Sequence, residues 1–454
     1  MKRLNPVFCG GFLLALPLFS SHAHAQVCGF EDLKIHASDG GPDSRFGNAI
    51  AADGAIAIIG APKDDGNGIN YGAAYLFGIS SGNQIRKLTA TPGAGAAFFG
   101  SSVAIDGVQV VIGATNDRLP GGPSTGSAYL FSTILGSQLR RFDPNDGASG
   151  DRFGTSVAMN TSFVAVSSPD NGSTRGSVYI YDRGTGAQIT KLISPDWANG
   201  DQAGTSIAID GNTLVIGAPR LEVDPPNIFA AASIYDLSTM TQTAFIISPS
   251  VLKGSGFGAA VDISGGWMVF GAPLNDDDGP DAGAAYVYDA ATGAFLRELV
   301  PSSSLTLNHS EFGSSVSIDG DRVIVGAPGM GAGSGEAFVF DLNTGDQIAE
   351  LKASDPFIND AFGDAVMMSS FGILVGAGGE DDLGAQAGAA YRFDPNPASC
   401  PADLTNDCSL NFFDVSAFLS AFSANDPIAD FTGDGSFNFF DVSAFLSAFS
   451  DGCP

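Results

Sequence analysis

Apolar and polar positions alternate along this chain in short bursts. Between Phe312 and Leu351 four such runs follow one another, SVSI, RVIVGA, EAFVFD and QIAEL. They are separated by Asp319-Gly320, a glycine-rich connection and Asn343-Thr344-Gly345. Runs this short, rich in Val, Ile and Phe and bounded by Gly, Asp and Asn, predict strands. Asp-Gly suits a tight hairpin because both central residues of a type I′ turn need φ > 0. The stretch reads as a four-stranded meander, too small to fold alone.

The unit recurs along most of the chain. Phe-Gly opens it at Phe46, Phe99, Phe153, Phe257, Phe312 and Phe362, with Ala203-Gly204 in the fourth place, at intervals of 50 to 55 residues. Gly-Ala-Pro follows at Gly60, Gly217, Gly271 and Gly326, and degrades at 113–115, 167–169 and 376–378. An aromatic third strand completes the pattern: AYLF at 74–77 and 128–131, VYIY at 178–181, SIYD at 233–236, AYVY at 285–288, AFVF at 337–340 and AYRF at 390–393. A fixed period with four strands per unit predicts a mainly β fold, a β-propeller of four-stranded antiparallel blades; seven copies imply seven blades. With three signatures in phase, residues 31 to 394 resemble FG-GAP repeats, the blades of integrin-α-like propellers. Many members carry a calcium loop between the two motifs. Here only Asp53-Gly54, Asp106-Gly107, Asp210-Gly211 or Asp319-Gly320 stands there, so no calcium site is carried over onto the blades.

The ends of the repeat array are out of phase with the blades. Leu33-Lys34-Ile35 precedes the first Phe-Gly and matches the fourth-strand ends KLISPD (191–196) and ELKASDP (350–356), while the last unit stops after its third strand at Asp394. The N-terminal segment is expected to supply the missing outer strand, closing the ring and leaving fewer open sheet edges. It would also bring Cys28 near the chain leaving residue 394. Within each blade the first and third turns are short. The other two connections are longer and variable, as at 63–72, 220–231, 274–283 and 302–311, and emerge on one face. Binding usually resides on variable loops of a rigid scaffold, so a glycan or protein ligand is expected there. Asp64, Asp65, Asp276, Asp277, Asp278, Asp381 and Asp382 gather on this face and read as solvated turn residues.

Met1 to Ala25 has Lys2 and Arg3, the apolar run FCGGFLLALPLF, and Ala23-His24-Ala25. This reads as a secretory signal peptide over 1–25; the run is too short to cross a bilayer, and no other stretch approaches it. The expectation is an exported protein, secreted or at the cell surface, with no membrane span and a propeller over 26–394. Twenty basic residues against 49 acidic ones give a net charge of −29, more negative once Lys2 and Arg3 are removed. Such a surface argues against nucleic acid and anionic membranes as partners. The remaining cysteines, Cys28, Cys400, Cys408 and Cys453, are even in number, which predicts disulfides in an exported chain. Three connectivities are open; Cys400–Cys453 would bracket one small domain, and Cys28–Cys400 would join the two ends.

Catalytic chemistry finds little support. Past the signal only His36 and His309 remain, neither in a metal-ligand spacing, and no CxxC, HExxH, GxSxG or P-loop pattern occurs. The innermost strands (SSVAI at 101–105, TSVAM at 155–159, TSIAI at 205–209) carry small and aliphatic residues. Asp262 and Asp364 are isolated exceptions and read as hydrogen-bonded core or rim residues. The chain reads as no enzyme.

After a linker at 395–399, a second repeat fills 400–454. DLTNDCSLNFFD (403–414) and DFTGDGSFNFFD (430–441) lie 27 residues apart, and NFFDVSAFLSAFS is identical at 411–423 and 438–450. Oxygen side chains fall at loop positions 1, 3, 5, 9 and 12: Asp403, Thr405, Asp407, Asn411 and Asp414, then Asp430, Thr432, Asp434, Asn438 and Asp441. Calcium takes six to eight oxygens at this stagger, with a backbone carbonyl from position 7, here Ser409 and Ser436. Gly435 fills the sharp-turn position of the second loop. Apolar residues at helical spacing follow each loop. This tail resembles a type I dockerin domain. The resemblance implies two Ca2+ sites and docking to a cohesin-like or cell-envelope protein. Cys408 departs from the family by replacing the turn glycine of the first loop. Phe412-Phe413 and Phe439-Phe440 stand where partner-reading polar residues are common; outside the helix core they would form a hydrophobic docking patch. The expected whole is a binding or adhesion-type protein. The alternatives are a polysaccharide-directed enzyme carrying a dockerin and a passive surface-layer component.

Overall fold

The computed structural model describes residues 27–29, 31–66, 68–91, 95–118, 122–220, 230–250, 254–302, 307–395, 402–405, 410–433 and 435–451. Residues 1–26, on which the expected signal peptide falls, and most of the expected linker lie outside them, as do all cysteine side chains.

The described strands form seven sheets, each with four strands joined antiparallel; in six of them the four are sequential neighbours. Blade two is representative: Phe99–Asp106, Gln109–Ala114, Ser127–Ser132 and Gln138–Phe142. Its innermost strand touches those of blades one and three, and the ring continues around the axis. The mainly β, seven-bladed architecture follows the sequence pattern. The hydrophobic core sits between blades more than within them: Ile58, Leu76 and Leu88 of blade one pack with Phe99, Ile112 and Tyr129 of blade two.

Both repeat signatures serve this packing. Phe99 is fully buried, its ring edge-on to Tyr129 at 5.6 Å and to Phe131 at 5.7 Å. Such aromatic pairs contribute about 0.5–1.5 kcal/mol beyond their area. The glycines let neighbouring backbones meet. A Cβ on Gly60 would lie 2.1 Å from the Gly100 carbonyl oxygen of the next blade, and one on Gly271 would lie 1.9 Å from that of Gly313. The contact between Gly376 and Gly47 repeats this geometry across the closing seam. Where Ala203 replaces the wedge phenylalanine, Trp197 is buried in the same cluster, and its indole N–H donates to Ser233 at 3.0 Å. Ser233 holds the place of the third-strand tyrosine, so one tryptophan compensates two losses.

The inner hairpins differ from expectation by one residue. Asp53 pairs with Ile56 and Asp319 with Arg322, so glycine is the first of two loop residues. In the four Asp-Gly hairpins positive φ falls on the glycine, Gly54, Gly107, Gly211 or Gly320, and not on the residue after it, the pattern of a type II′ turn and not type I′. The aspartate is left at the strand end to accept a hydrogen bond from the neighbouring blade: Gly107 N–H donates to Asp53 at 2.6 Å and Gly265 N–H to Asp210 at 3.2 Å.

The ring closes as the repeat phase implies. Glu31–Ile35 runs antiparallel to Ala389–Phe393 as the outer strand of blade seven. Just before it, Val27–Gly29 lies parallel to Ala349–Leu351 of blade six, Cys28 opposite Glu350; this places the Cys28 backbone on the preceding blade. In the tail, helices Phe412–Ala424 and Phe439–Asp451 flank a 3-10 turn at Pro427–Ala429. Among the described residues, no helix is long and apolar enough to cross a membrane.

Candidate functional site

Three regions hold polar groups in quantity: the long-loop face of the propeller, its axis, and the tail loops.

On the long-loop face, four blades carry one internal device. The Tyr75 hydroxyl donates to Asp64 at 2.7 Å and Asp39 at 2.9 Å, and Lys87 pairs with both carboxylates while lying 5.2 Å above the tyrosine ring. Tyr129 with Asp117 and Arg141, Tyr179 with Asp146 and Lys191, and Tyr391 with Asp355 and Lys34 repeat it. Burial, and then the facing carboxylates, hold the Tyr75, Tyr129 and Tyr179 hydroxyls above their ordinary pKa, so they remain donors. In blade six Phe338 replaces the tyrosine and Met330 the loop acid, and the two are buried in one apolar cluster. Asp64 is thus not a solvated turn residue; it is 3% exposed and caps a tyrosine. Asp382 pairs with Lys34. Asp65, Asp276 and Asp381 do hold turns, each accepting from the amide five residues on, at Asn70, Asp281 and Gln386. Most of the 220–231 connection lies outside the described residues.

The axis is a channel of about 510 Å³ walled by Ser, Thr, Ala, Val and Ile of the inner strands. Asp262 projects there, its carboxylate accepting from the amides of Ile263 at 2.8 Å and Ile318 at 2.7 Å. It thereby ties blade five to blade six. Burial pushes its pKa up to about 6 against these two bonds. Asp364, at the rim, is likewise raised by burial.

In the tail, each loop folds around its twelfth residue. Asp414 and Asp441 are fully buried. Asp414 accepts from the Thr405 hydroxyl at 2.8 Å, the Thr405 amide at 3.0 Å and the Asn411 amide at 2.9 Å. Asp441 makes the same three bonds with Thr432 and Asn438. Burial acts to raise the Asp414 pKa, but these bonds outweigh it and the net shift is downward; for Asp441 the Asn438 amide leads the lowering. Asp403 and Asp430 sit beside the threonine hydroxyls at 3.3 and 3.5 Å. Gly435, at φ +75°, donates to Asp430 at 2.8 Å, which is why a glycine stands there.

Positions 1, 3 and 12 of both loops therefore converge. The ninth-position asparagines act differently: Asn411 and Asn438 accept from the amides of Phe413 and Phe440 and cap the helices. Ser436 directs its carbonyl to the Asn438 side chain at 3.0 Å. Asp407, Ser409, Asp434 and Cys408 lie outside the described residues.

The tail core is built from other aromatics. Phe418 and Phe445 stack at 4.1 Å, with Phe431 against both. Phe412, Phe413, Phe439 and Phe440 take no part and are 77%, 67%, 76% and 69% exposed. They occupy the first two positions of each helix, directly after the asparagine cap.

Seven radial sheets, all but one pair of neighbours meeting through paired glycines, define a seven-bladed β-propeller of repeat origin. The FG-GAP repeat family model matches residues 30–77, 83–131, 137–181, 187–228, 240–288, 306–340 and 346–393, more than half of the chain. The protein belongs to the FG-GAP repeat family. No curated protein matches it. The matched segments straddle blades: residues 83–131 start at the outer strand Gln84–Leu88 of blade one and end within the third strand of blade two.

Proposed function

We propose that this is an exported, non-enzymatic binding protein, with a propeller that presents a ligand-recognising loop face and a tail that docks it elsewhere. The observation that carries the reading is the exposure of four phenylalanines beside two folded acidic loops. An exposed aromatic pair is unfavourable in water and is retained where a partner covers it. The loops supply an all-oxygen donor set, the class that calcium takes. Asp403, Thr405, Asp407, Ser409, Asn411 and Asp414 would hold one ion, and Asp430, Thr432, Asp434, Ser436, Asn438 and Asp441 the other. Calcium would supply the positive charge each acidic loop lacks and fix the helix start that presents each Phe pair. A cohesin-like or cell-envelope protein fits as partner. The long-loop face, built on a rigid ring, would take a glycan or protein. An axis lined by small residues, with Asp262 bound to two amides, supports binding over catalysis.

Calorimetric titration of the intact protein with calcium tests the tail. Two equivalents are expected, with Asp403→Ala and Asp430→Ala each removing one. Phe412→Asp with Phe439→Asp should keep calcium binding yet abolish calcium-dependent retention on a cell-envelope preparation. Retention unchanged by that double substitution would rule out the aromatic docking face.

A further inference from the structure

The seam that closes the ring holds a cluster that, among the described residues, the other blades lack. His36 follows the closing strand Glu31–Ile35, and Glu380 and Asp382 lie in the connection between strands Gly372–Ala377 and Ala389–Phe393. One donor atom from each can be chosen so that all three lie within 4.8 Å of one another. His36 Nδ1 faces Glu380 Oε2 at 4.0 Å, and His36 Nε2 faces Asp382 Oδ2 at 4.0 Å.

Glu380 is 4% exposed, and its Oε2 and the His36 Nδ1 are both buried without a hydrogen-bond partner among the described residues. Buried polar atoms are nearly always bonded; two of them facing each other point to something between them. Lys34 does not fill that place. Its ammonium binds Glu380 Oε1 at 2.9 Å, Asp382 Oδ2 at 2.5 Å and Asp355 Oδ2 at 2.7 Å, leaving Oε2 untouched. Three carboxylates about one ammonium leave two negative charges uncompensated. In blade one the matching Lys87 faces two carboxylates, Asp39 and Asp64, and no histidine joins them.

The geometry points to a binding site for one divalent transition-metal ion of the zinc class, held by His36, Glu380 and Asp382. Zinc binds imidazole nitrogen and carboxylate oxygen at about 2.0–2.2 Å, which sets donors roughly 3–4 Å apart. The imidazole separates this site from the all-oxygen calcium loops of the tail. An ion here would neutralise the surplus charge. It would also fasten the N-terminal strand to blade seven, where the ring has no covalent continuity.

The test uses the full-length protein, stripped with chelator and then saturated with calcium so that the tail loops are filled. Titration with zinc chloride should show one equivalent that weakens at least tenfold in His36→Gln and in Asp382→Asn and persists in Asp403→Ala. Because a variant could misfold, the wild-type chain provides a second readout. Zinc should protect His36 from carbethoxylation, read by mass spectrometry, while the exposed His309 reacts equally with and without zinc. No zinc binding by the wild-type protein, unchanged affinity in folded His36→Gln, or equal modification of His36 in both conditions would each overturn the assignment.

Discussion

At the scale of single residues, the repeat glycines divide into two kinds that look alike in the sequence. Gly271 has ordinary φ but no room, since an added Cβ would meet the Gly313 carbonyl oxygen at 1.9 Å. Gly320 has open space but φ +62°. The first contact is backbone on both sides, Gly271 held by sheet pairing and Gly313 by its amide hydrogen bond to the Gly326 carbonyl, so the overlap cannot be relieved by a rotamer change. Gly271→Ala is expected to cost more than about 3 kcal/mol, and Gly320→Ala only about 1–2 kcal/mol for the left-handed conformation. Thermal unfolding of the two variants side by side checks the distinction; equal losses would refute the packing account of the Gly-Ala-Pro signature. The motif's periodicity was legible in the sequence, but its physical role was not. The residue each glycine touches belongs to the next repeat, some forty residues on. Distance also hid the His36 cluster, whose members are brought together by ring closure and not by local spacing.

At the scale of elements, the blades share a strand pattern and differ in what fills the seams. Blade six departs most, with Glu336 opening its third strand where four other blades carry alanine and two carry serine. Glu336 is 6% exposed, and burial together with the neighbouring Glu350 pushes its pKa up to about 8, against the pull of Lys352. A carboxyl whose folded pKa lies above its unfolded value favours the native state most fully below the unfolded value, near 4.5. That contribution fades as pH rises through about 8. Glu336→Gln keeps the shape and removes the titration. The variant is therefore expected to match the wild type near pH 4 and to exceed it in stability above pH 8, by an amount of order 1–3 kcal/mol. Urea unfolding at the two pH values measures the difference; a gap between variant and wild type that does not change with pH would show that the Glu336 pKa is the same folded and unfolded. In the tail, the spacing of oxygen residues announced both loops. Local hydrogen bonding then turned the ninth-position asparagines into helix caps, because an Asn side chain before a helix finds two free amides at once.

For the whole molecule, the offset between sequence repeat and blade is the governing feature. Most matched segments begin at the outer strand of one blade and run into the inner strands of the next, so the outer strand of each blade leads by continuous chain into its neighbour. The seventh depends on Glu31–Ile35 reaching back across the seam. That closure was readable from the orphan strands at the two ends, since an unpaired outer position on blade seven and a spare strand before blade one leave one economical pairing. Two constructions separate what the strand's contacts contribute from what its covalent crossing contributes. Removing residues 27–37 exposes the Ala389–Phe393 edge and the buried side of Tyr391, and should yield a protein that associates through that edge and unfolds in more than one step. A circular permutant joining residue 394 to Glu31, with new termini between Leu88 and Phe99, keeps the four strands of every blade, losing only the Val27–Gly29 pairing on blade six, and makes each blade a continuous segment. It should fold, because the new ends fall in a surface connection. It should also unfold several degrees below the parent, since no chain then crosses its open seam between blades one and two. Calorimetry and light scattering on the pair decide the matter. A permutant as stable as the parent would show that the inter-blade core, with its buried phenylalanine wedges, holds the ring closed without help from the overlapping strand.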